Sequence, residues 1–168
     1  MLFNNAFWKR PDVSRISHHD LNRLGFIFSD ASIPTWWTQY PDDTPLLTGW
    51  VGGKQAEDLA AKGEETILET AIQSLAAIFM ITVTEVKDQL LSSKIFDWVN
   101  DPYSRGAYSF EVVEGMKLKE VMRDPEEDTL YFAGEGYHEG SNAGTVEAAL
   151  SEGFRVARTI ALDLSQGP

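Results

Sequence analysis

The sequence predicts an α+β protein: a mixed, mainly antiparallel sheet flanked by helices, then a closing strand, glycine-rich loop and long helix. Three observations carry this. Short aromatic runs broken by turn formers fill residues 1–53, a helical apolar period takes over in 54–90, and residues 124–164 run from an apolar strand through glycines into a helix. The 168 residues, 43% of them hydrophobic, are long enough to bury a core without disulfides or metals. The change of texture divides the chain into residues 1–123 and residues 124–168.

In order along the chain, Leu24–Phe28, Pro34–Thr38 and Leu46–Val51 read as strands. Ser29-Asp30-Ala31-Ser32 and Pro41-Asp42-Asp43-Thr44-Pro45 punctuate them as turns, and such short connections favour antiparallel pairing. From Glu64 to Met80, residues Ile67, Leu68, Ala71, Ile72, Leu75, Ile78 and Phe79 form one helical stripe, with Glu64 and Glu65 in the first turn where the helix dipole favours acids. Thr84–Leu91 predicts a second, short helix and Ser93–Val99 a strand ended by Asn100-Asp101-Pro102. After the acidic turn Asp124–Asp128, the run Thr129–Ala133 reads as a strand buried on both faces. Glycines at 134, 136, 140 and 144 lead into a helix over Thr145–Leu164. Strand, glycine-rich loop and helix make half of a nucleotide-binding unit. Ala149, Gly153 and Ala157 leave one flank of that helix nearly bare, so that another backbone can approach it closely.

A formal charge of −12, with no basic stripe, disfavours nucleic acid and anionic lipid as partners. Cys is absent, which removes disulfides, thiolate metal sites and cysteinyl links to a cofactor. The longest apolar run, Leu75–Ile81, is far short of a membrane span, and Met1–Asn5 lacks the basic and apolar regions of a signal peptide, so a cytoplasmic location is expected.

Few residues read as catalytic. His18 and His19 beside Asp20 sit in a polar stretch without a matching donor cluster, and the serines lack a nucleophile elbow. Glu135, His138 and Glu139 are metal-type donors, but the glycines around them leave ligand geometry undefined, so no metal is expected. Gly134-x-Gly136-x-x-x-Gly140 is one residue too long for a dinucleotide fingerprint. An anion or cofactor contact at the helix start, on the backbone N–H groups of Gly144, Thr145 and Val146, is the better reading; Thr145 is equally an ordinary N-cap. Trp36, Trp37, Trp50 and Trp98 read as core, and Tyr103 and Tyr108 as loop anchors.

Three segments resemble flavin-containing amine oxidases, the superfamily of monoamine oxidases, polyamine oxidases and histone demethylases. These are Trp98–Ser109 (Trp-Val-Asn-Asp-Pro-Tyr-Ser-Arg-Gly-Ala-Tyr-Ser), Phe132-Ala133-Gly134-Glu135, and Gly144-Thr145-Val146-Glu147-Ala148-Ala149-Leu150. The resemblance implies FAD as cofactor, with Gly134 and Glu135 near its ADP-ribityl part and Gly144, Thr145 and Val146 at the flavin's N1 and O2 edge. Trp98 matches the Trp beside the flavin ring. Tyr108 matches one wall of the aromatic pair around the substrate amine, Thr145 stands at the other wall, and Trp37 falls on a substrate-channel aromatic. Ala107 occupies the position of the cysteine that bonds FAD in monoamine oxidases, so FAD here is expected to be non-covalent.

The resemblance also implies that residues 1–123 are part of a substrate-binding domain and residues 124–168 the final strand and helix of a Rossmann-like FAD-binding domain. The family's Gly-x-Gly-x-x-Gly loop does not occur in these residues, and its flavin-side lysine would align ahead of Met1. The expectation is therefore a C-terminal portion of an amine oxidoreductase, acting in full on a small-molecule amine and inactive alone, and binding FAD poorly by itself. Its alternative is a non-catalytic interaction or split-subunit protein. Either way a second copy or a complementing N-terminal chain is the expected partner.

Overall fold

The computed structural model describes residues 1–17, 19–110, 112–113, 115–127, 129–140 and 142–166. It is an α+β chain that divides into two compact units, Met1–Arg105 and Gly106–Pro168. That division falls earlier than the 123/124 boundary drawn from the change in sequence texture.

In the first unit, β1 (Leu2–Phe3) pairs antiparallel with β5 (Leu90–Ser92). The three aromatic runs form an antiparallel meander of β2 (Phe26–Phe28), β3 (Thr35–Trp37) and β4 (Thr48–Trp50). Period-2 alternation sends Ile27 and Trp36 inward and Phe26, Phe28, Trp37 and Trp50 outward. Trp36 is thus 1% exposed while Trp50, on the next strand, is 40% exposed. Core status for all four tryptophans is therefore corrected for Trp37 and Trp50, which lie on the outer sheet face, and for Trp98, which is 49% exposed and stacks on Phe96. Gly49 lies opposite Trp36, whose ring fills the space a β-carbon would need.

Helices α1 (Pro11–Ser17), α2 (Gly53–Ala60), α3 (Glu64–Phe79) and α4 (Val83–Gln89) complete this unit. The α3 stripe buries Ala71, Ile72, Leu75 and Phe79 as the periodicity requires. Its C-terminus closes with Met80 in the left-handed region and an Ile81 N–H bond back to the Ala76 carbonyl. Thr82 and Glu85 then start α4 with a reciprocal capping box. Phe7 meets Phe3, Trp8 and Phe79 edge-to-face at 5.1–5.3 Å. The Ser74 hydroxyl ties helix to sheet, accepting from the Ile33 N–H at 3.0 Å, and the Ile33 carbonyl accepts from the Trp36 indole. The strand expected over Ser93–Val99 is displaced: pairing ends at Ser92, because β1 is only two residues long and offers nothing further to bond.

In the second unit, α5 (Gly115–Arg123) and α6 (Val146–Gln166) flank a single helical turn at Glu135–Tyr137. Thr145 caps α6, its hydroxyl accepting from the Ala148 N–H at 3.2 Å. The doubly buried strand over Thr129–Ala133 is not formed. Leu130 makes one isolated bridge to Glu126, and Leu130, Phe132 and Ala133 are exposed. A strand is defined by its neighbours, and among the described residues none pairs with this segment beyond that bridge. Asp128, part of the predicted acidic turn, lies outside the described residues, as does His18.

Candidate functional site

The second unit gathers most of the predicted site residues around one carboxylate. Glu135 follows Gly134, whose φ of 149° is open to glycine only, and opens the short helical turn. Its Oε1 accepts from the Ser109 N–H at 2.8 Å. Its Oε2 accepts from the Ser109 hydroxyl at 2.7 Å and the Gly144 N–H at 2.8 Å. These Ser109 bonds hold the Glu135 carboxyl below its ordinary range, with desolvation opposing and the Gly144 N–H and the Lys119 charge assisting. Glu135 therefore clasps two segments that are distant in sequence, Tyr108–Ser109 and Gly144–Thr145.

Gly144 has a φ of 83°, and a β-carbon there would stand 3.1 Å from the Tyr108 ring. The aromatic ring and the residue leading into α6 are thus in contact. Tyr108 is half exposed and Val146, the first residue of α6, is 71% exposed, so this corner is open on its outer side. Ala107 is exposed beside it. The first-turn N–H groups of a helix have no acceptor within the helix, so Val146 and Glu147 present donors there. The Thr145 hydroxyl is engaged as the cap and also donates to the Asn142 carbonyl.

Trp37 and Trp98 belong to the first unit. Trp37 tilts against Phe26 with ring centroids 6.1 Å apart. The metal-type donors do not converge: Glu139 pairs with Arg123, while His138 Nε2 faces the Asn142 Oδ1 at 2.9 Å. Among the described residues there is no group of three or more His, Asp or Glu side chains able to hold a metal ion.

Sequence reasoning passed over Ser109, although it is the last residue of the matched aromatic segment. It also passed over Glu152, which is 3% exposed on the buried face of α6. Its carboxylate lies 2.6 Å from Arg155 Nε, 3.6 Å from Arg123 Nη2 and 3.5 Å from His138 Nδ1. The available signal was an acid at i+4 from Ala148 and i−4 from Val156, with an arginine three residues on.

The glycine-flanked start of α6 is thus clasped beside a tyrosine ring, with first-turn backbone donors open to an acceptor. The family model described as flavin containing amine oxidoreductase matches residues 1–161, and the chain belongs to that family. Lysine-specific histone demethylase 1 homolog 3 of Arabidopsis thaliana is 29% identical over 123 residues, which are 73% of this chain and 7% of that protein. The chain thus spans a small fraction of the length of this curated relative. The residues present fit a flavin edge in their donor chemistry: an open helix start and a glycine where a side chain would intrude, with Glu147 as the acid in the first turn of α6.

Proposed function

We propose that these residues are the C-terminal part of an FAD-dependent amine oxidoreductase, inactive as this stretch alone, with FAD held non-covalently. The observation that carries the reading is the Glu135 clasp, which sets the Gly144–Val146 helix start beside the Tyr108 ring. When bound, FAD supplies the redox chemistry, taking a hydride from the carbon next to an amine nitrogen to leave an imine. The chain's own part is positioning and electrostatics. The N-terminus of α6 carries the positive end of the helix dipole, which favours the negative charge that reduction places on a flavin edge. Tyr108 forms a wall for the small-molecule amine, with Thr145 as the other wall; Trp37 is assigned to a substrate channel by the family likeness alone. A carboxylate oxygen accepts more than one hydrogen bond, so Glu135 is assigned to the ribityl chain through its carboxylate or its backbone. Trp98 is assigned to the flavin ring by the family likeness.

A second reading, a non-catalytic split-subunit protein of the same fold, is favoured by one feature. Val146, Leu150, Phe154 and Leu164 are exposed along α6, and a β-carbon on Gly153 would meet nothing within 4 Å. In both readings this face is covered by a chain carrying the dinucleotide-binding half, a second copy being the alternative occupant.

The test is FAD retention through gel filtration by the chain alone and after mixing with a chain carrying a Gly-x-Gly-x-x-Gly half. Retention is expected only in the mixture, followed by bleaching of the flavin when amine is added without oxygen. Stoichiometric FAD on the isolated chain overturns the need for a second half. A flavin-loaded mixture that no amine reduces favours the non-catalytic reading.

A further inference from the structure

We infer that Ser109 is a positioning residue: through its two hydrogen bonds to Glu135 it fixes the Tyr108 ring against Gly144 at the start of α6. This rests on the amine-oxidoreductase reading for the meaning of Tyr108, but not for the geometry. Tyr108 is joined covalently to Ser109 and is half exposed, so few contacts of its own define where its ring points. Ser109 supplies the constraint. Its N–H and hydroxyl bind different oxygens of one carboxylate, a two-point grip that removes rotation about a single bond as an escape. The same Oε2 that takes the hydroxyl also takes the Gly144 N–H, so the aromatic wall and the helix start share one anchoring atom. Gly144 is required at the meeting point on two grounds: its positive φ, and the 3.1 Å that a β-carbon would leave to the Tyr108 ring. The consequence concerns specificity for the amine. A wall held to the helix start keeps a fixed distance from whatever lies at the first-turn N–H groups, whereas an unclasped tyrosine swings and widens the gap.

The experiment is solution NMR of the 168-residue chain without flavin, which separates its outcome from that of flavin binding. The α-proton of Gly144 that points along the missing Cβ direction is expected to carry a ring-current displacement from Tyr108. On acidification, the Ser109 and Gly144 amide protons are expected to move together with a midpoint below that of an ordinary glutamate. Ser109→Ala keeps the N–H and removes the hydroxyl. It is expected to abolish the Gly144 displacement and raise the shared midpoint, while the amides of Ala148–Val156 stay in place. Ser109→Thr, which keeps the hydroxyl, is expected to restore both.

Retention of the Gly144 displacement in Ser109→Ala overturns the inference. So does movement of the α6 amides as large as that at Gly144, because the serine would then support the unit at large. If Ser109→Ala fails to fold, Ser109→Thr decides. Wild-type values support the inference, and a folded Ser109→Thr without the Gly144 displacement overturns it.

Discussion

The two units solve the same problem with different materials. The first buries large rings and branched aliphatics: Phe3, Phe7, Trp8, Trp36, Leu47, Leu75 and Val86 are all essentially sealed. In the second, the buried described side chains are Ala148, Val156 and the charged Glu152, while Val146, Leu150, Phe154 and Leu164 remain exposed. Apolar burial is the main favourable term in folding, so the first unit has the means to hold itself together. Among the described residues, the second is organised instead by hydrogen bonds and ion pairs, the Glu135 clasp and the Glu152 cluster, whose net worth per bond is smaller. Polar organisation fixes geometry better than it supplies stability.

The largest expected effect tests the first half of that contrast. Phe7→Ala removes a ring that meets three others edge-to-face in a sealed site, and should cost about 3–5 kcal/mol. Chemical denaturation followed by tryptophan fluorescence reads the change directly. A loss below about 1 kcal/mol, well under the range for buried aromatics, would mean that the first unit does not depend on this packing.

Glu152→Gln tests the second half. It leaves Arg123 and Arg155 facing a neutral side chain in a cluster where the carboxylate is buried. Removing one member of a fully buried pair costs about 3–5 kcal/mol; both arginines keep roughly a quarter of their exposure, so about 1–3 kcal/mol is expected here. Hydrogen exchange at α6 amides reports it locally. Unchanged protection there would show that the unit is held by something other than this cluster.

How much of this was legible in the sequence follows the same division. The α3 stripe, the antiparallel meander and the α6 helix could be read because period and turn chemistry are local properties. Thr129–Ala133 could not, because an apolar run states only that a chain would pair if strands lay beside it, and among the described residues none does. Trp50 and Trp98 misled for a related reason. Residue type gives an affinity for burial, but which face of β4 Trp50 occupies depends on register. In the site, Tyr108, Glu135, Gly144 and Thr145 were readable from family motifs, yet Ser109 and Glu152 were not. Their roles exist only when residues 26 or more positions apart meet, or when an apparently polar helix position turns out to face inward.

A single kind of substitution made in each unit sharpens the comparison furthest, because opposite signs are expected. At Gly49 a β-carbon would lie 2.7 Å from ring carbons of Trp36, which is 1% exposed and has its indole N–H engaged by the Ile33 carbonyl. Neither the ring nor the strand can give way freely, so Gly49→Ala should destabilise by about 1–3 kcal/mol. At Gly153 the same methyl meets nothing within 4 Å, in the middle of an exposed helical face. Alanine there restricts the unfolded chain and favours the helix, so Gly153→Ala should stabilise the isolated chain by about 0.5–1 kcal/mol, read as a rise in the α6 unfolding midpoint. The gain should reverse when a chain carrying the dinucleotide-binding half is added, because the methyl then stands where another backbone must come close. Gly153→Ala that stabilises the free chain and leaves that association untouched would show that this flank of α6 is simply surface, and the contrast between the units would reduce to core composition alone.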